Sequence, residues 1–253
     1  MKPSRWNIAR GLAGLVIRRH FSRGHFLALG LMLAVLALIL AAFLRAGNGA
    51  EQFLAFNVEF YFAFLMPLLA FIGGGGAWRD ELKPEAADYF LLRGVPRGLY
   101  LAFRYGAHLL CAEADFAPAL ALLALIGASR HVPGLAAALP AMIAAQALAV
   151  AAFSAFGFLC AAITSRWVVL GLVYGVVIEF GVSHVPLTIS RIAMSRQVRT
   201  ILQGLATRTW SNTATPNGHP AAAALALALF AAGFTAAASL LFRRQELAGE
   251  KSE

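Results

Sequence analysis

Four acidic residues stand in runs that are otherwise apolar: Glu59, Glu113, Asp115 and Glu179. Charge at membrane depth is costly and faces a cavity, a partner or a counter-charge. An acid–base site would need two such carboxylates to converge. Glu113 and Asp115 are two residues apart, about 200° around a helix, so they share one site only if the helix breaks, which Pro118 permits. Counted from the inner ends of their runs, Glu113 and Glu179 fall about 18–20 Å deep, past the middle of a ~30 Å hydrocarbon core. Glu59 lies nearer the outer surface. His108, one turn after Arg104, reads as a polar contact between helices. Cys111 and Cys160 both fall in apolar runs and read as buried thiols, with no metal-ligand spacing around them. Gly73–Gly76 is no phosphate loop, because no Lys-Ser/Thr follows it. It reads as a loosened end of a helix or a place of close helix approach.

Two polar stretches complete the inventory. The connection from His184 to Pro220 holds Arg191, Arg196, Arg199 and Arg208 and no acid. Its apolar stripe changes sides near Ser195, which predicts two short helical pieces. Set above the acids of the outer half, these arginines suggest a gate in which Glu59, Glu113 and Glu179 draw Arg191, Arg196, Arg199 and Arg208 over the mouth. The other stretch is Trp78–Tyr100. It carries Arg79, Asp80, Glu81, Lys83, Glu85, Asp88, Arg93 and Arg97 in a protein where only 13% of residues are charged. Tyr89, Leu91 and Leu92 give it apolar anchors inside a charged rim, the composition of a docking surface.

The elements that must carry these residues are membrane helices. The chain has 253 residues, 60% of them hydrophobic, and a mean hydropathy of +0.72. The apolar runs are continuous rather than alternating, so they span as helices and not as a barrel. Six spans are expected, near 26–44, 56–77, 100–126, 135–164, 167–182 and 221–242, in one domain. Pro67 should bend the second. Ahead of the first, Ser4–His20 has a basic stripe opposite Trp6, Ala9, Ala13, Val16 and Ile17, the pattern of an interfacial helix. An even number of spans places both termini on one side. That side collects 15 Lys and Arg against 6 on the other, which puts the termini and the charged stretch in the cytoplasm. The net charge of +9 reads as basic loops meeting anionic lipid, not as nucleic-acid binding. No three-plus-three internal repeat is visible, against an inverted-repeat transporter.

In order, the chain offers Asp80 and Glu81 after the second span, then Tyr89, Leu91, Leu92, Val95, Pro96 and Arg97, then Tyr100 and Arg104 opening the third. This resembles the permease subunits of type-2 ATP-binding-cassette (ABC) exporters, as do the basic amphipathic N-terminus, the proline in span 2 and Tyr174…Glu179…Pro186 in the fifth. The family's Gly-Thr before the leucines is Ala86-Ala87 here, and its Arg-Pro is Arg93-Gly94. The resemblance covers nearly the whole chain. It implies that Asp80, Glu81, Asp88, Tyr89, Leu91, Leu92, Pro96 and Arg97 belong to a cytoplasmic coupling helix seated on a separate ATPase subunit. It also implies a homodimer or paired permease in the cytoplasmic membrane, with ATP and Mg held by the partner and no cofactor on this chain. Two other readings are an intramembrane enzyme built on Glu113, Asp115 and His108, and a membrane scaffold without transport activity.

Overall fold

The computed structural model describes residues 11, 14, 16–17, 20, 23–45, 53, 56–81, 97–181, 192–206 and 218–249. Among them every regular element is helical. Helix α1 is Arg23–Arg45. A π-helical segment, Asn57–Leu65, leads into α2, Met66–Glu81. Helices α3, Arg97–Ser129, and α4, Leu135–Ile163, follow. Helix α5, Trp167–Tyr174, continues into a second π segment, Gly175–Gly181. Helix α6 is Met194–Ala206 and α7 is Pro220–Gly249.

Four stretches are long and apolar enough to cross a bilayer: Asn57–Asp80, Gly98–Ser129, Leu135–Ile163 and Pro220–Phe242. Leu29–Ala41 and Trp167–Glu179 are also apolar but shorter. The chain is therefore a multi-pass, helical membrane protein. Helix α4 is its centre, with 67% of its most apolar stretch buried, whereas α7 at the flank buries 11% of its own and turns the rest outward.

Pro67 acts one turn earlier than the expected bend. It has no N–H to offer the carbonyl four residues back. The chain takes up the mismatch upstream by winding as a π-helix, and the Met66 N–H donates to the Tyr61 carbonyl, five residues away. The glycine run ends nothing: α2 continues through Gly73–Gly76 to Glu81. Its glycines serve close approach instead. A Cβ on Gly74 would stand 2.4 Å from the Ser154 carbonyl oxygen, and one on Gly157 2.3 Å from that of Phe71. Backbone therefore lies on backbone where α2 meets α4, an approach open only to glycine. Pro118 does not break α3, which runs unbroken past it.

Two ends can be told apart. At one, α3 turns into α4 through His131 (φ 53°) and Gly134 (φ 74°), the left-handed residue before α4. Phe53 and Leu135 crowd Gly127 there. At the other, Trp78 is fully buried against Phe158 and Phe242, beside Tyr100 and Leu101. Helix α2 leaves and α3 enters at this second end, so the charged stretch is anchored there.

Candidate functional site

Helix α6 lies across the turn end, packed on α4, α7 and both π segments. Its sequence is amphipathic. Met194, Val198, Ile201 and Leu202 are buried, while Arg196, Gln197, Arg199 and Thr200 are half-buried. This is the second of the two predicted helical pieces. Of the first, Ile192 and Ala193 are described, while Arg191 lies outside the described residues, as does Arg208.

The residue before α6 is Ala193, which has no side-chain acceptor for the free N–H groups of a first turn. Glu179 supplies one from the second π segment. Its Oε1 accepts from the Met194 N–H at 3.0 Å, and its Oε2 from the Ser195 N–H at 3.0 Å. The Tyr174 hydroxyl donates to Oε1 at 2.8 Å and orients the carboxylate. A carboxylate at a helix N-terminus is favoured by both the open donors and the helix dipole. The other π segment supplies a second hold, since Arg199 donates through Nη2 to Glu59 Oε2 at 2.5 Å. Each π segment thus carries one acid, and each acid grips α6.

The remaining acids do other things. Glu113 has no arginine partner among the described residues. Its Oε2 accepts from Gln146 Nε2 at 3.3 Å, and Gln146 Oε1 accepts from the Tyr61 hydroxyl at 2.9 Å. This chain of polar groups ties α3, α4 and the first π segment together inside the bundle. Asp115 faces elsewhere, as its spacing from Glu113 requires, and its Oδ2 lies 2.8 Å from His20 Nε2. Val16 packs on Ala107 and Cys111 of the same helix, so this apolar residue of the N-terminal stripe is buried on protein. Arg196 has no acidic partner among the described residues. His108 Nε2 lies 3.3 Å from the Ser154 hydroxyl, which donates to the Ala70 carbonyl at 3.2 Å. It is a contact between helices, as its sequence position suggests. Glu113, Asp115 and His108 therefore take three different partners, and the described residues contain no group of three His, Cys, Asp or Glu able to hold a metal.

At the other end Asp80 is exposed on the last turn of α2, Glu81 closes that helix, and Arg97 opens α3. Arg104 is buried and donates to the Ala77 carbonyl at 3.2 Å, closing a C-terminal carbonyl of α2. Asp88, Tyr89, Leu91, Leu92 and Pro96 lie outside the described residues.

Sequence reading missed the acceptor role of Glu179 toward backbone. A signal existed: a helix start with no capping side chain, following an apolar run that holds one acid. It also missed Gln146, a lone amide in an Ala-rich run. Comparison with known protein-family models and with curated protein sequences finds no match.

Proposed function

We propose that this chain is the permease subunit of an ABC exporter of the type-2 kind, moving a substrate across the cytoplasmic membrane with ATP hydrolysed by a separate subunit. The observation that carries the reading is a mechanical one. The charged stretch is strung between α2 and α3 at one end of the bundle, and α6 is clamped over the opposite end by acids on both π segments. The first π segment and α2 form one continuous path from Glu59 to Glu81. The glycine seam fixes that path to α4. A push on the charged stretch then reaches the clamp without passing through a loop.

In this reading six helices span, since α1 and the α5–π pair complete the four longer ones. Trp167 packs on Phe71, and Glu179 of the same path meets α6, so the fifth path also runs from one end toward the other. The termini and the coupling helix are cytoplasmic, two permeases pair, and ATP and Mg belong to the partner. Helix α6 is the outer gate, with Glu179 and Glu59 as its holds.

The test is co-purification and ATPase stimulation. The tagged chain should bring down a cassette ATPase and lose it on Leu91→Asp or Asp88→Arg. Glu179→Gln should leave the ATPase bound but uncouple its turnover from transport. A chain that captures no ATPase, or keeps it with Leu91→Asp, is not such a permease.

A further inference from the structure

An open trough of about 550 Å³ runs along the outside of the bundle. Its walls are α3 and α7, and its floor is Leu148 and Ala151 of α4. We infer that it is a binding site for one acyl chain of an anionic phospholipid, in the leaflet at the end where α2 leaves and α3 enters.

The lining is almost wholly carbon. Two of the three hydroxyls that line it are already engaged, Tyr105 donating to the Ala151 carbonyl at 2.7 Å and Thr235 to the Ala231 carbonyl at 2.7 Å, and the third, of Ser239, stands at the headgroup end. Between Gly98 and Leu109 on α3, and from Ala228 to Ala236 on α7, no free hydroxyl is left to draw water or a polar ligand, and an apolar hollow of this kind is filled by hydrocarbon. Its length fits one leaflet. The α3 wall runs from Gly98 to Leu109 and the α7 wall from Ala228 to Ser239. Both are eleven steps of helix, about 16 Å at 1.5 Å per residue, against about 15 Å for half a ~30 Å core. Two walls from unrelated sequence therefore agree with the reach of a single chain from headgroup to midplane.

Next to the headgroup end the chain carries arginines in sequence. Arg97 precedes Gly98 directly, and Arg243 and Arg244 follow Ser239 after one turn. Their positions fall in the phosphate layer when the apolar walls fill the hydrocarbon. Arginine there favours an anionic over a zwitterionic headgroup. A transmembrane helix of a second copy does not fit. Helices α3 and α7 come within 8 Å of each other at Cα. A third helix between them would need their axes about 16–20 Å apart, two ordinary packing distances.

The experiment uses the full-length protein in nanodiscs of 1:4 phosphatidylglycerol to phosphatidylcholine. The probe is a phosphatidylglycerol with a photoactivatable group midway along one chain. Label should concentrate on Ala102, Leu109, Leu148 and Ala232 over the equally lipid-facing Leu38 and Leu125. Ala102→Trp and Ala232→Trp should each cut that label about tenfold, while Leu125→Trp leaves it. Unlabelled phosphatidylglycerol should compete about fivefold better than phosphatidylcholine for each basic residue engaged. Even labelling of Leu38, Leu125 and the trough would overturn the site. So would a disulfide between two copies at Ala232→Cys, and equal competition by the two lipids would overturn the headgroup assignment. The wild-type label map decides the matter even where a tryptophan variant fails to fold.

Discussion

The α2–α4 seam and the docking of α6 are two ways of fixing one helix on another. At the seam, Gly74 and Gly157 bring backbones into direct contact, and no side chain intervenes to adjust. At α6, a carboxylate grips two backbone N–H groups and an arginine grips a carboxylate. The first contact is short-range packing, which is lost wholesale when atoms are forced apart. The second is electrostatic and can be exchanged for water or for another partner. The molecule thus has a rigid spine and, at one end, a cover with replaceable fastenings.

The sharpest way to break this contrast is to disturb each contact by a single substitution. Gly157→Ala drives a Cβ into the Phe71 carbonyl. It should cost about 3 kcal/mol or more, seen as lost yield and a lower thermal midpoint in detergent. Glu179→Ala comes next. It leaves the Met194 and Ser195 N–H groups without their acceptor, at about 1–3 kcal/mol. Amide hydrogen exchange should accelerate across Met194–Ala206 while the seam stays protected. If both regions exchange faster together, the cover is not separable from the spine.

The Glu59–Arg199 pair should matter less. The Glu59 side chain is 59% exposed, so a double-mutant cycle with Glu59→Gln and Arg199→Gln should return about 0.2–1 kcal/mol and fade in high salt. The smallest effect is expected at Gly233, where an added Cβ meets nothing within 4 Å. Gly233→Ala should be neutral or stabilise by up to about 1 kcal/mol through helix propensity. Alanine should therefore destabilise at Gly157 and not at Gly233.

Much of this organisation is legible before folding. The fourth helix, expected at 135–164, spans Leu135–Ile163. The break expected between 126 and 135 is a turn, and Cys111 and Cys160 are buried. Apolar continuity and left-handed turn residues are local signals, so sequence carries them. Helix α3 starts earlier and ends later than its apolar run, because helical hydrogen bonds do not stop where the hydrocarbon does. The residues that hold α6 are legible as types and not as pairs. Glu59 and Arg199 are 140 residues apart, and nothing in their neighbourhoods distinguishes Arg199 from Arg196.

Composition and run length by themselves determine that this protein lives in a membrane as packed helices, because hydrocarbon tolerates no unpaired backbone. The spacing of Glu113 and Asp115 already separates them, since helix geometry is fixed. Tertiary structure decides what spacing cannot encode. It turns a glycine run into a backbone seam, winds the chain before Pro67 as a π-helix, and makes Glu179 the cap of a helix that has none of its own. Those outcomes depend on which surfaces meet across the bundle, and a pairing between distant segments has no period to be read along the chain.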